Sequence, residues 1–92
     1  MSVIEIKKAF TMPRRELKGE LDELARKLEQ QFQLNCEWHS DDCLEFRRSG
    51  AQGRIDIGED EIELRITLGI LMELFRGTIE QGIAEFVDEH IY

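Results

Sequence analysis

Cys36, His39 and Cys43 are the residues of this chain that could do chemistry, because thiolates and imidazoles bind zinc and act as nucleophiles or bases. A structural zinc site uses four such ligands, and this stretch supplies three. Cys36 shares one face of an alternating run with Trp38, whereas His39 lies on the other face. Cys43 falls outside the register of the apolar residues that follow it, so we expect it to face outward or to lie in a turn. One buried thiol and one ordinary surface thiol are the simpler interpretation.

A Cys–His nucleophile pair is the second chemistry that these residues could support. It would need a group that orients the base and a donor that stabilises an oxyanion, and the sequence supplies neither in a recognisable form. The carboxylates are numerous, but none has the apolar context that would separate the roles of an acid and a base. The stretch GAQGRIDIG lacks the spacing of a nucleotide-binding loop. The sequence therefore predicts no catalytic residue, no metal site, no cofactor and no enzymatic activity.

Alternating apolar and polar runs predict the sheet that must position these side chains. The clearest run places Ile62, Leu64, Ile66 and Leu68 on one face, with charged residues or threonine between them. Four shorter runs, around residues 3–8, 36–39, 44–47 and 54–57, show the same period. The predicted turns between the last four strands are Ser40-Asp41-Asp42, Ser49 to Gly53 and Gly58-Glu59-Asp60.

Two stretches with helical spacing accompany the five strands. The first predicts a helix over residues 13–32, with Thr11 or Met12 as its N-terminal cap. The second begins near Leu74 and contains Gly77 and Gly82, which we expect to allow close approach of a neighbouring element. It also carries more apolar side chains than one narrow stripe needs. Either a curved sheet grips this helix widely, or part of it is exposed for a partner.

The order of elements, β-α-β-β-β-β-α, predicts an α+β fold. Consecutive strands joined by short turns pair antiparallel, and the first strand can lie beside the last, which gives the order 1-5-4-3-2. Both helices then cover the single apolar face, in a reduced helix-grip outline. A ferredoxin-like arrangement is the weaker alternative, because it requires the order βαββαβ.

The composition limits the possible partners and the compartment. The 92 residues fit a single domain over 1–92, and their net charge of −8 disfavours binding to nucleic acid. There is no run of about 18 apolar residues, so the chain predicts no transmembrane segment. The first ten residues alternate, so we expect no secretory signal, reduced cysteines and a cytoplasmic protein.

The outward face of the predicted sheet mixes both signs of charge. Its members are Glu37, Glu45, Arg47, Asp56, Glu63 and Arg65. Opposite charges on adjacent strands stabilise pairing by roughly 0.2–1 kcal/mol, which is the simpler interpretation. The alternative is a self-complementary surface that forms a homodimer.

Four segments together carry a resemblance to a known family. They are Leu44 to Gly50 (LEFRRSG), Gly53 to Ile55 (GRI), Leu68 to Leu71 (LGIL) and Phe75 to Glu80 (FRGTIE). In this order they resemble the polyhydroxyalkanoic acid system proteins, which show a pattern like HFxRSGVxGxIxV followed by LGFLLxPLKGxIE. The resemblance extends over nearly the whole chain. Glu73-Leu74 departs from the basic residue and proline expected there.

The resemblance implies a bacterial accessory protein of polyhydroxyalkanoate storage granules, whose partners are granule proteins or the granule surface. It implies no reaction and no catalytic residue. The alternative hypothesis is a module that binds a small apolar acyl ligand between the sheet and the helices. Its expected lining is Trp38, Phe46, Ile57, Ile66 and Phe86.

Overall fold

The computed structural model describes all 92 residues. The elements are β1 (Ser2–Ala9), α1 (Arg14–Phe32), β2 (Asn35–Ser40), β3 (Cys43–Arg48), β4 (Ala51–Ile57), β5 (Glu61–Leu68), a 3₁₀ segment (Ile70–Phe75) and α2 (Arg76–His90). The strands form one antiparallel sheet in the order β1-β5-β4-β3-β2. The predicted α+β fold, its strand order and the packing of both helices are confirmed.

β5 shows why the alternating pattern specifies this sheet. Its neighbours are β1 and β4, and its four apolar residues at positions 62, 64, 66 and 68 are all buried. They join one hydrophobic core with Ile79, Ile83 and Phe86 of α2. Full burial of each aliphatic side chain stabilises the fold by about 1.5–3 kcal/mol. The predicted packing of β5 against the last helix is therefore confirmed.

α1 follows its leucine stripe but starts differently from the prediction. Leu17, Leu21, Leu24 and Leu28 are buried, and the helix covers all but the first of the predicted residues. Pro13 occupies the N-cap position and no side chain caps the helix, so the prediction of Thr11 or Met12 is wrong. The backbone N–H groups of both residues donate instead to the carbonyl oxygen of Tyr92, at 2.8 Å each. These bonds hold the segment before α1 against the end of the chain.

The turn between β3 and β4 is shorter than predicted. β4 begins at Ala51, so Gly53 lies within a strand. A Cβ atom on Gly53 would lie 2.5 Å from the carbonyl oxygen of Arg65 and 2.6 Å from a side-chain carbon of Ile66. Only glycine therefore lets β4 approach β5 this closely. The turn itself uses Gly50, whose φ of 84° is costly for other residues.

The last helix also begins later than predicted, at Arg76 instead of near Leu74. The two helices run in opposite directions. α1 starts beside the β4–β5 turn, where Arg14 contacts a backbone carbonyl, and ends beside the β3–β4 turn at Phe32. α2 starts beside the first residues of β1, and the chain beyond its end returns to the segment before α1.

Candidate functional site

The sheet separates Cys36 from His39. The Cys36 thiol lies on the helix side, with Sγ 3.5 Å from the carbonyl oxygens of Ala25 and Leu34. Burial, together with the nearby charge of Glu29, raises the pKa of Cys36 to about 11. His39 is exposed, and its Nδ1 lies 3.7 Å from a carboxylate oxygen of Glu45. The imidazole therefore has a carboxylate neighbour and no contact with this thiol.

Cys43 differs from the expected surface thiol. It lies on the outer face, as its register implies, yet only 6% of its surface is exposed. Asp56 lies directly opposite it on β4. Desolvation by burial raises the pKa of Cys43, against the opposing charge of Arg54. The prediction of an ordinary surface thiol is wrong, because neighbouring side chains cover the sulfur.

Nowhere does the structure gather three or more His, Cys, Asp or Glu side chains in a metal-binding arrangement.

The residues expected to line an acyl pocket lie in or against the packed core. Phe46, Ile57, Ile66 and Phe86 are buried. Trp38 is half-buried: its indole N–H donates to Asp22 at 2.8 Å, and the Lys18 ammonium lies 4.8 Å from the ring centroid. No cavity of the structure is lined by more than one of the five. Their role as a ligand site stays a prediction.

The outer sheet face carries ion pairs along its strands and places opposite charges at facing positions of adjacent strands. Arg54 donates to both carboxylate oxygens of Asp56, at 2.7 and 2.9 Å, and these bonds lower the pKa of that carboxyl group. Across the strands, Glu45 lies opposite Arg54 and Glu5 lies opposite Arg65. Opposite charges at these positions support the pairing of the strands. Homodimer formation through this face stays a prediction.

An exposed apolar surface lies at the end of the sheet where the β3–β4 turn meets the 3₁₀ segment. We call it the apolar patch; it comprises Ile70, Leu71, Leu74 and Phe75, which are 81%, 78%, 91% and 46% exposed. Side chains three residues apart align in a 3₁₀ helix, so Leu71 and Leu74 form one ridge. Met72 between them points inward and is buried. The excess of apolar residues near the last helix was the only signal for this patch in the sequence.

Polar contacts fasten the 3₁₀ segment to the sheet beneath it. The Gly69 N–H donates to the carbonyl oxygen of Gly50 at 2.8 Å, which joins the segment to the β3–β4 turn. The Glu73 carboxylate accepts a hydrogen bond from the Ser2 hydroxyl at 3.1 Å and pairs with the α-ammonium of Met1. Hydrogen bonds from these two groups lower the pKa of Glu73. The apolar patch is thus held on a fixed base.

A groove of about 370 Å³ lies between α1 and α2. Its floor is formed by Leu24, Leu28, Phe32, Ile83 and Phe86. Its polar rim includes Lys27, Gln31, Thr78, Glu85 and Glu89. Gly82 also lines the groove, and a Cβ atom on Gly82 or on Gly77 would meet nothing within 4 Å. The prediction that these glycines allow close approach of another element is therefore wrong.

Neither helix combines the length and apolar character needed to cross a bilayer.

The comparison with known proteins identifies a family. No curated protein and no solved structure matches the chain. The family described as "Putative polyhydroxyalkanoic acid system protein" matches residues 4–91 of the 92. This match agrees with the resemblance carried by the four sequence segments, and the chain therefore belongs to the polyhydroxyalkanoic acid system protein family.

Proposed function

We propose that this protein is a non-catalytic accessory protein of polyhydroxyalkanoate granules in the cytoplasm, and that it binds the granule surface through the apolar patch. The observation that carries the proposal is the exposure of four large apolar side chains within six residues. Proteins that remain monomeric in water rarely expose a contiguous patch of this kind without an interaction that uses it. A storage polyester that is insoluble in water offers an apolar surface on which such side chains lose their contact with water.

The area of the patch suits reversible adsorption. Removing one leucine or isoleucine side chain from water stabilises a complex by about 1.5–3 kcal/mol. Three such side chains, Ile70, Leu71 and Leu74, supply on the order of 5 kcal/mol before the cost of immobilising the protein. One molecule therefore binds weakly, and coverage of a particle depends on the protein concentration.

The fixed base of the patch supports the same function. The 3₁₀ segment is joined to the β3–β4 turn through Gly50 and to β1 through Ser2. A segment that is already ordered loses little conformational entropy when it adsorbs. The exposed ridge of Leu71 and Leu74 can then meet a surface without unfolding the helix that follows it.

The arrangement of the thiols supports the non-catalytic part of the proposal. Cys36 and Cys43 lie on opposite faces of the sheet, and the pKa of each is raised, which favours the unreactive thiol form. His39 pairs with Glu45 and not with Cys36. Assays of the purified protein for hydrolysis of hydroxyacyl esters test this part directly, and turnover that requires either cysteine would contradict it.

Sedimentation with amorphous poly(3-hydroxybutyrate) particles tests the binding. The double variant Leu71→Ser/Leu74→Ser should bind the particles with an affinity at least tenfold lower than that of the wild type. It loses two apolar side chains that leave water on binding. Tyr92→Ser is the matched control: its side chain is also exposed, but it lies at the other end of the sheet. Equal binding by the double variant would contradict the proposal.

The same variants separate granule binding from self-association. A homodimer that covers the patch would appear in sedimentation velocity of the wild-type protein, and Leu71→Ser/Leu74→Ser would convert it to a monomer. We expect the double variant to keep the oligomeric state of the wild type, because the patch binds the granule and not a second copy. The acyl-ligand hypothesis has its own test: short hydroxyacyl and fatty-acyl compounds should raise the melting temperature if a pocket exists around Phe46 and Ile66.

A further inference from the structure

The edge strand β1 leaves one side of its backbone without a hydrogen-bond partner. Just beyond this strand, the N–H of Phe10 donates to the carbonyl oxygen of Asp60, which precedes β5. Successive residues of a strand direct their backbone groups to alternate sides, so the even-numbered residues of β1 bond to β5. Glu5, Lys7 and Ala9 therefore direct their N–H and C=O groups away from the sheet, where the chain gives them no partner.

We propose that this edge of β1 pairs with the same edge of a second copy of the chain, antiparallel and around a two-fold axis at Ile6. Glu5 then faces Lys7 of the second copy, and Lys7 faces Glu5 of the second copy. Both side chains are exposed, and opposite charges at facing positions stabilise strand pairing whereas like charges oppose it. A shift of two residues in either direction would set Glu5 against Glu5 or Lys7 against Lys7. Charge complementarity therefore favours a second copy and fixes its register.

The charges of β5 continue this pattern across the seam between the two copies. On the outer face of one chain, Arg65 lies opposite Glu5 and Glu63 lies opposite Lys7. After pairing, the row runs from Arg65 and Glu5 of one copy to Lys7 and Glu63 of the other, with the sign alternating at each step. Each charge at the seam thus has an opposite charge on both sides.

The helix side of the seam joins apolar surface without adding an unpaired charge. Ile6 is half-buried against the core, and contact with Ile6 of the second copy removes its remaining surface from water. The charged side chains beside this edge are already paired within one chain. Lys8 pairs with Asp88 at 3.5 Å, and Arg76 pairs with Glu80 at 3.4 Å.

Neighbouring groups limit the length of the pairing. Beyond Ala9, the N–H of Thr11 already donates to the carbonyl oxygen of Tyr92. At the other end, the carbonyl oxygen of Val3 accepts from Arg76 at 3.3 Å and keeps a second lone pair for the other copy. The free edge therefore runs from Val3 to Ala9, and these two residues face each other across the seam. An interface one strand long is small, so the dimer should be weak and depend on protein concentration.

The other edge strand, β2, is less suited to this role. It has six residues, and its pairing with β3 is irregular between Trp38 and Ser40. Short length and irregularity are the means by which edge strands avoid pairing. β1 has eight residues and pairs with β5 without a shift in register. Lys7 disfavours an uncharged or basic strand on this edge, and Glu5 of a second copy satisfies it.

Reversal of the charges at the seam tests the proposal, with sedimentation velocity over a range of protein concentrations as the measurement. The wild type should show a reversible equilibrium between monomer and dimer. Glu5→Lys and Lys7→Glu should each dimerise at least tenfold more weakly, because each sets like charges against each other at two symmetric positions. The double variant Glu5→Lys/Lys7→Glu should regain most of the affinity, and an equimolar mixture of the two single variants should form a heterodimer.

Glu37→Lys is the matched control for Glu5→Lys. Glu37 is an exposed acid on the other edge strand, and its replacement changes the net charge by the same amount. This variant should dimerise at least as tightly as the wild type, and thermal melting checks that every variant folds. Equal weakening by Glu37→Lys, or a double variant as weak as the single ones, would overturn the proposal. A wild type that stays monomeric at every concentration would also overturn it and leave this edge to a strand of another protein.

Amide hydrogen exchange locates the contact on the molecule. The outward N–H groups of Glu5 and Lys7 should exchange more slowly at concentrations where the dimer predominates, because they become hydrogen-bonded. Exchange in β2 should stay the same. A dimer that slows exchange in β2 and not at Glu5 and Lys7 would contradict pairing through β1.

The pairing leaves the apolar patch uncovered. The hydrogen bond between Ser2 and Glu73 places the patch beside the start of β1, and antiparallel pairing puts the two starts at opposite ends of the joined sheet. Leu71→Ser/Leu74→Ser should therefore dimerise as the wild type does, and Lys7→Glu should still bind polyester particles. Loss of the dimer in Leu71→Ser/Leu74→Ser would overturn the pairing through β1. Failure of the wild type to bind particles would overturn the proposed function and leave the dimer as it is.

Discussion

The Arg76 guanidinium donates a hydrogen bond to the carbonyl oxygen of Val3 at 3.3 Å, which joins the first residue of α2 to β1. β1 is an edge strand of the sheet, so one side of its backbone lacks a neighbouring strand. The same side chain also pairs with Glu80 one turn later on α2, at 3.4 Å. Arg76 thus fixes the place where the 3₁₀ segment ends and holds the apolar patch relative to the sheet.

Replacing this arginine should loosen the patch. Arg76→Ala should lower the free energy of unfolding by about 1–2 kcal/mol, because it removes a charge-assisted hydrogen bond and an exposed ion pair. Amide hydrogen exchange in the 3₁₀ segment should become faster by a larger factor than in β5. Arg15→Ala, at an exposed position of α1, is the control. Equal exchange rates in Arg76→Ala and the wild type would show that the contact does not hold the segment.

The Glu73 carboxylate predicts a pH dependence of stability. Its hydrogen bonds from the Met1 ammonium and the Ser2 hydroxyl lower its pKa in the folded protein. A carboxyl group with a lowered pKa stabilises the fold above its unfolded pKa, and this contribution is lost as the pH falls through the folded pKa. Urea unfolding should therefore show a smaller loss of stability between pH 6 and pH 3 in Glu73→Gln than in the wild type. Identical pH profiles would contradict this role, and Glu59→Gln in the β4–β5 turn serves as a control.

Both cysteines should resist alkylation while the protein is folded. The pKa of Cys36 is raised to about 11 by burial and by Glu29, so little thiolate exists at pH 8. Because the ordinary value is 9.0, the unfolded chain releases this proton first, and the free energy of unfolding should fall as the pH rises from 9 towards 11. Mass spectrometry after iodoacetamide treatment measures the modification. Fast labelling of Cys36 at pH 8 without denaturant would contradict the burial.

Replacing glycine with alanine should change the free energy of unfolding in opposite directions at two positions. Gly53→Ala should destabilise the protein by about 1–3 kcal/mol, because the new methyl group would meet the backbone of β5. Gly19→Ala should stabilise it by about 1 kcal/mol, since Gly19 lies in α1 with nothing within 4 Å and alanine favours a helix. Urea unfolding of the two variants checks both signs. A neutral Gly53→Ala would show that β4 can move away from β5.

The parts of the fold that were predictable from the sequence are those with a regular period. In β5 the alternation from Ile62 to Leu68 has one interpretation, because a shift of one residue would expose every apolar side chain. The spacing of the leucines in α1 likewise has only one interpretation, a helix with one apolar face. Periodicity also predicted the face of Cys43 correctly, but not its burial, since the side chains beside it come from another strand. Burial of a side chain by residues that are distant in the sequence leaves no pattern in the residues around it.

The apolar patch was harder to predict for a related reason. Within one turn, a period of three and a period of 3.6 differ by less than one residue, and the 3₁₀ segment is only six residues long. Leu74 and Phe75 therefore fitted the stripe of the following helix, although they lie outside it. Met72 fills the space above Gly50, and its neighbours are left exposed. Only the three-dimensional packing distinguishes the buried member from the exposed ones.

Hydroxyl-radical footprinting on polyester particles tests the role of the patch most directly. Oxidation of Leu71 and Leu74 should fall at least fivefold when the protein is adsorbed, while oxidation of Tyr92, at the other end of the sheet, should stay as in free protein. Adsorbed protein in which Leu71 and Leu74 are oxidised as fast as in solution would contradict binding through the apolar patch.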